Sequence, residues 1–304
     1  MTPHPTPFLM PPEDFCDLKR AQAVVVPFAY EGGVSYGLGA AGAPQAVLAA
    51  SRQVEYYDEV LDAEPYRVGL GTVAAPLIPD DPVQMLALLE TLTDELLAQS
   101  KFPVVVGGDH SITSGFVQSV GRYCPEFGVI QLDAHADLRD RYEGSPHSHA
   151  CVMARIREMT SHTLQIGIRS MAAEEARRVK RDNISLCTMR QWRLGQFDIC
   201  RALAELPPKV FITLDVDVFD WSVVASTGTP EPGGFGWQEM LDLLMAIFET
   251  KQVVGVDVVE LAHQPHDINS AYAVAKLIYK IIGFKFAGCL QKVSISSLSA
   301  SADS

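Results

Sequence analysis

Three short runs of this sequence gather the residue types that hold metal ions. In Asp133-Ala-His135-Ala-Asp137, two carboxylates flank one imidazole, with small alanines between them. Residues i, i+2 and i+4 of an extended segment project to one side, so the three groups converge and the alanines leave room. Charge gathered at the end of an apolar run is costly to bury unless a cation neutralises it. Asp215-Val-Asp217 repeats the arrangement after Phe211-Ile-Thr-Leu214. Taken alone, that D-x-D also fits a helix cap or a magnesium site for phosphate chemistry. Gly107-Gly-Asp-His110-Ser follows a third apolar run, and its glycines allow a sharp turn that presents His110. A histidine in such a turn is, by itself, commonly a hydrogen-bonding residue. Together the runs aim His110, Asp133, His135, Asp137, Asp215 and Asp217 at one crevice.

Counting charge sets the number of ions. Four carboxylates bring −4 and neutral imidazoles nothing, so one divalent ion leaves −2 in the crevice, whereas two reach neutrality. A bridging hydroxide then makes the site −1, which suits a substrate carrying +1. Oxygen and imidazole ligands without thiolate favour manganese over a structural zinc. Two ions about 3.5–4 Å apart make hydroxide at neutral pH and place it on an electrophilic carbon or phosphorus. No Walker-type loop and little positive charge accompany the motifs, so carbon is the expected target.

These groups need a scaffold that delivers them to one edge. Residues 23–26, 102–106, 128–132, 164–168, 210–214 and 253–258 are apolar on both faces, as strands of a helix-covered parallel sheet must be. Residues 82–100, 237–250 and 267–282 carry apolar residues at helical spacing. Sustained strand–helix alternation predicts one α/β domain over residues 21–290 with a mostly parallel sheet. The three metal-type runs each follow a predicted strand, at the end where open α/β sheets bind ligands. Residues 1–20, rich in proline, are expected to form a loose arm, and residues 291–304 a serine-rich tail.

Composition narrows the partners. The chain of 304 residues is 48% hydrophobic and 20% charged, which excludes disordered and collagen-like classes. Its 24 basic and 37 acidic side chains give a net charge of −13, unsuited to nucleic acid or anionic lipid. Six cysteines without a CxxC pair lend no support to a zinc ribbon or a disulfide framework. The N-terminus has neither the basic nor the apolar segment of a signal peptide, and the cytoplasm is the expected compartment.

With these motifs in hand, G-G-D-H-S at 107–111, D-A-H-A-D at 133–137, S-H-A-C at 148–151 and D-V-D-V-F-D at 215–220 resemble the ureohydrolases, the arginase and agmatinase family, in order and spacing. The resemblance takes in residues 22 to 285. It implies a three-layer α/β/α sandwich and two Mn2+ ions per chain. His110, Asp133, Asp137 and Asp215 would serve one ion and Asp133, His135, Asp215 and Asp217 the other, with Asp133 and Asp215 bridging. It further implies that hydroxide attacks a guanidinium carbon to release urea and an amine. His149 matches the family's proton shuttle, a general-acid task that suits histidine. Glu260 matches the glutamate that pairs with the guanidinium. The turn after Glu260 is longer than the family's E-x-x-P, with proline only at Pro265, and Ala43 replaces the usual glycine.

The loop 138–147 lacks the asparagine- and serine-bearing pattern of arginases and looks like that of agmatinases. The expected partner is therefore a small cationic guanidino compound, agmatine above all, with Glu143 or Asp140 placed to receive its ammonium. Arg139 or Arg141 facing the pocket would instead suit a carboxylate-bearing relative such as arginine or 4-guanidinobutanoate. A non-catalytic paralogue would have lost ligands, and all six are present. A deacetylase would need a histidine pair and an aromatic oxyanion donor that the sequence does not display. The resemblance also implies a homotrimer or homohexamer.

Overall fold

Every predicted strand is found, 128–132 with the same bounds and the others extended by a residue or two, in a computed structural model that describes residues 7–300. The strands are β1 (Ala23–Phe28), β2 (Leu70–Thr72), β3 (Phe102–Gly107), β4 (Gly128–Leu132), β5 (Thr163–Ile168), β6 (Ser185–Thr188), β7 (Lys209–Asp215) and β8 (Gln252–Val259). They form one sheet in the order β2-β1-β3-β8-β7-β4-β5-β6, and every pairing is parallel. Strands β2 and β6 were not predicted. Both lie at sheet edges: β2 is a three-residue Leu-Gly-Thr, buried but too short to form an apolar run, and β6 is a polar, partly exposed Ser-Leu-Cys-Thr, where burial no longer demands one.

The helices are α1 (Ala43–Ser51), α2 (Pro82–Ala98), α3 (Thr113–Tyr123), α4 (Val152–Ile156), α5 (Ala173–Arg181), α6 (Met189–Arg193), α7 (Ile199–Glu205), α8 (Trp237–Thr250) and α9 (Ile268–Ala300). Alternation along β1 sends Ala23 and Val25 to one face of the sheet and Val24 and Val26 to the other. On the first face, α1, α8 and α9 pack through Val47, Leu244 and Ile278. On the second, α2, α3 and α4 pack through Leu89, Phe116 and Met153. The result is the expected three-layer α/β/α sandwich. Local signals start the helices: Asp81 caps α2 by accepting from Gln84 N, and Asp267 caps α9 through Asn269 N and Ser270 N. Ala43 opens α1 at φ −59°, so nothing there demands glycine. No helix among the described residues is long and apolar enough to cross a membrane.

Two expectations about the termini change. Residues 1–6 lie outside the described residues, but from Phe8 onward the arm is fastened rather than loose. Phe8 and Leu9 are buried, their N–H groups donating to Thr72 Oγ1 and Ser51 Oγ. Two large apolar side chains amid prolines suffice to anchor the segment, which the average composition conceals. At the other end α9 carries the backbone of the serine-rich segment to Ala300, and residues 301–304 lie outside the described residues.

Strand order is what assembles the site. The chain leaves a gap between β3 and β4 that β7 and β8 later fill, so the four motif-bearing strands stand side by side. Register then aligns their ends: Val106, Val258, Leu214 and Leu132 share one row across the sheet. One step beyond that row come Asp215 and Asp133, and just past β8 comes Glu260. The approach of β3's turn to the first loop is close. A Cβ on Gly108 would lie 1.7 Å from Tyr30 O, while hydrogen bonds from Gly108 N to Phe28 O and from Glu260 N to Gly108 O hold the backbone in place. We expect Gly108→Ala to lower stability by about 2–3 kcal/mol. Gly288→Ala, on an open stretch of α9 with nothing within 4 Å, should be neutral or stabilising. Thermal or denaturant melts of the two variants check both.

Candidate metal centre

His110 leads a single 3₁₀ turn at the head of α3, with Asp109 as its cap. Its Nδ1 lies 3.2 Å from Asp133 Oδ2, 3.1 Å from Asp137 Oδ2 and 3.5 Å from Asp215 Oδ2. No hydrogen bond links this buried nitrogen to them. The donor atoms of His110, Asp133 and Asp137 cluster together, with Asp215 Oδ2 beside the histidine, and donors gathered without bonding each other are what a cation site requires. Nε2 of the same ring lies 2.8 Å from Thr213 Oγ1, and donation there leaves Nδ1 as the lone-pair nitrogen.

A second group adjoins the first. His135 Nδ1 lies 2.8 Å from Asp217 Oδ2 and 3.7 Å from Asp133 Oδ1. Asp133 therefore offers one oxygen to each group. The ligand atoms of His110, Asp133 and Asp137, and those of Asp133, His135 and Asp217, lie within 4.8 Å of one another in each set. Asp215 behaves less symmetrically than expected. Its Oδ2 faces His110, but it belongs to neither set, whereas Asp133 belongs to both.

Glu260 and His149 stand beside this pair. Glu260 Oε1 accepts the His110 N–H at 2.7 Å and lies 3.2 Å from His149 Nδ1. The longer turn after Glu260 does not displace it, because Leu261 bridges Thr227 and His263 N donates to Gly39 O. Glu260 and Asp137 adopt left-handed backbone, φ +66° and +50°, a conformation that costs a non-glycine residue about 1–2 kcal/mol. A cavity of about 270 Å³ opens over the site, lined by His135, Asp137, Asp215 and His149.

Comparison with known proteins fits this geometry. A model of the Arginase family matches residues 21–283. The chain belongs to the arginase family. It is 40% identical over 295 residues to an N(1)-aminopropylagmatine ureohydrolase of Synechocystis sp., covering 92% of this chain and 96% of that one. To an agmatinase of Pyrococcus horikoshii it is 32% identical over 271 residues, covering 88% and 93%. The solved agmatine ureohydrolase of Thermoplasma volcanium superposes with a TM-score of 0.81 at 25% identity, covering 90% and 94%. This chain is thus a hydrolase of the arginase family.

The family implies a pair of metal ions, and the electrostatics of the residues fit one. Burial, then the Asp137 and Asp217 charges, lifts Asp133 to about 7. Burial, with Asp217 and Asp133 beside it, holds Asp215 well above the carboxylate range. Burial pulls His135 down, yet Asp217 and Asp133 overwhelm it and raise the ring to about 11. His110 moves the same way, burial outweighed by Asp133, Asp137 and Asp215. So much unbalanced negative charge retains protons, and divalent cations answer the same demand.

Residues that position this arginase-family site escaped the sequence reading. Gln165 donates to Gln131 Oε1, and Gln131 Nε2 donates to Asp133 Oδ2 at 2.6 Å. Arg169 Nη2 donates to Asp217 O at 2.6 Å and Glu231 O at 2.8 Å, pinning the D-V-D turn to the 227–234 loop. The one available signal was a polar residue interrupting an apolar strand, as in G-V-I-Q-L and T-L-Q-I-G-I.

Protons and metal must compete here. Ligation strips His135 of its proton at any pH below about 11, and Asp133 of one below about 7. Metal binding should therefore release protons, and apparent affinity should rise with pH, most steeply below about 7. Titration calorimetry in buffers of different ionisation enthalpy measures both. Asp133→Asn should reduce metal content at both positions, and Asp137→Asn at one, by elemental analysis.

Proposed function

We propose that this enzyme hydrolyses the guanidinium group of an agmatine-type substrate, agmatine and water giving putrescine and urea. The observation that carries the reading is the state of Arg139, which lines the cavity. Its guanidinium lies 4.9 Å over the Tyr142 ring, 3.6 Å from Glu174 Oε1 and 3.9 Å from Glu175 Oε2. A cation already stacked and paired is a poor receptor for a substrate carboxylate. Arg141 donates to Gly144 O. Of the two acids expected to receive an ammonium, Asp140 is turned to Arg155 and Arg178, which leaves Glu143.

His110, Asp133, Asp137 and Asp215 would hold one manganese ion, and Asp133, His135 and Asp217 the other. When bound, the pair supplies the Lewis acidity that ionises water near neutral pH. The chain's own residues do the rest. Glu260, almost wholly buried, binds and orients the guanidinium as a carboxylate partner. Burial lowers the His149 pKa, but the hydrogen bond and charge of Glu260 raise it to about 9. The ring thus holds a proton at neutral pH for the departing amine, which is a poor leaving group unless protonated.

A longer substrate is the second reading. The 40% identical relative is named for N(1)-aminopropylagmatine. A second cavity of about 220 Å³ shares Tyr142 with the first and is lined by Glu143 and Asp80, which suits an additional ammonium.

Urea release by the manganese-loaded protein tests these readings, with agmatine, N(1)-aminopropylagmatine, arginine, 4-guanidinobutanoate and 3-guanidinopropanoate in parallel. Urea is expected from the first two and not from the carboxylates. Turnover of arginine or a guanidino acid at equal efficiency overturns the reading of Arg139. His149→Gln should lower kcat by about 10²- to 10⁴-fold.

A further inference from the structure

A strap of chain between β1 and α1, residues 30–39, crosses the mouth of the site and is pinned along its length. Gly33 N donates to Asp109 Oδ2 at 2.6 Å, and Gly37 N to Gly228 O at 3.1 Å. Glu31 Oε1 receives the N–H groups of Gly39 and Ala40. The fit at the first pin is tight: a Cβ on Gly33 would lie 2.9 Å from Ser111 Oγ and 3.0 Å from Asp109 Oδ1. Every one of these pins is made by a backbone N–H of the strap or of the residue just after it, and together they place one side chain at the site.

That side chain is Ser35. Its Oγ lies 2.8 Å from His149 Nε2, and the residue lines the catalytic cavity. The same strap grips His149 by its backbone, since Gly33 O accepts the His149 N–H at 3.3 Å. We infer that Ser35 is a positioning residue for His149, delivered by the strap and held there by Asp109. The inference rests on the reading of His149 as the proton donor.

Glu260 engages Nδ1, which fixes one end of the ring but leaves it free to pivot about that contact. A partner at Nε2 removes the pivot. A hydroxyl is the apt partner, because it accepts from Nε2–H when the ring is charged and donates to the lone pair when it is neutral. Ser35 therefore keeps the ring in place before and after Nε2 gives up its proton, the Nε2–H bond being shared between the hydroxyl and the departing amine nitrogen, which takes the proton. A second carboxylate would hold only the charged form, and an amide would have to flip.

The test has one arm that needs no substrate. In protein labelled with ¹⁵N-histidine, the His149 ring signals are assigned by their loss in His149→Gln. Ser35→Ala should shift the Nε2 resonance, and Ser35→Thr, which keeps the hydroxyl, should leave it near the wild-type position. In the second arm, with whichever substrate releases urea, Ser35→Ala should lower kcat about tenfold, the worth of one hydrogen bond, with KM within about threefold. Ser35→Thr should restore most of the loss. An unmoved Nε2 resonance overturns the inference, even if kcat falls, because Ser35 then acts on the substrate and not through the histidine. A moved resonance with unchanged kcat overturns it too. Wild-type protein that releases no urea from any substrate removes the proposed activity, while the resonance arm still decides whether Ser35 holds the ring.

Discussion

Asp133 faces two ways, and the site is built around that demand. One of its oxygens points to His110 and the other to His135, so a single buried carboxylate joins two donor groups. It manages this only because β4 ends where it does, in the same row as β7, with β8 and β3 completing the row. A slip of one residue in any of those pairings would send the ligand of that strand to the opposite face. The eight-stranded parallel order serves mainly to bring the ends of β3, β8, β7 and β4 together.

Such a concentration of charge strains its surroundings, and the strain is visible. Asp133 and Asp215 hold protons far above the usual carboxylate range because burial and like charge oppose ionisation. Asp137 and Glu260 adopt left-handed backbone that their side chains disfavour. Each is held by its neighbours. Asp137 O accepts the Met153 and Ala154 N–H groups at the start of α4, and Glu260 N donates to Gly108 O. The amides of Gln131 and Gln165 form a polar path through the sheet to Asp133, so the carboxylate is oriented as well as buried.

The outer wall of the cavity lies outside this frame, in loops. The turn at Tyr142-Glu143-Gly144-Ser145 closes with two reciprocal hydrogen bonds and positive φ at both central residues, the geometry of a type I′ hairpin. It holds Tyr142 between two cavities and beneath the Arg139 guanidinium. The metal-type residues sit on strand ends and short turns, whereas the cavity wall around Tyr142 is a surface loop, free to differ without disturbing the sheet.

The division between what was legible and what was not follows from range. Strands β1, β3, β4, β5, β7 and β8 could be read because burial on both faces imposes a continuous apolar run. The six ligand-type residues could be read because D-x-H-x-D and D-x-D bring groups together within one extended segment, where spacing alone decides direction. The sequence by itself thus determined the fold class and the reach of the family resemblance. Only tertiary structure decided that Arg139 is paired with Glu174 and Glu175, and that Ser35 meets His149 across 114 positions. It also decided that Phe8 and Leu9 fasten an arm whose composition looked loose. These are contacts between residues far apart in the chain, set by how loops lie over a finished sheet, and no local pattern of residue types encodes them.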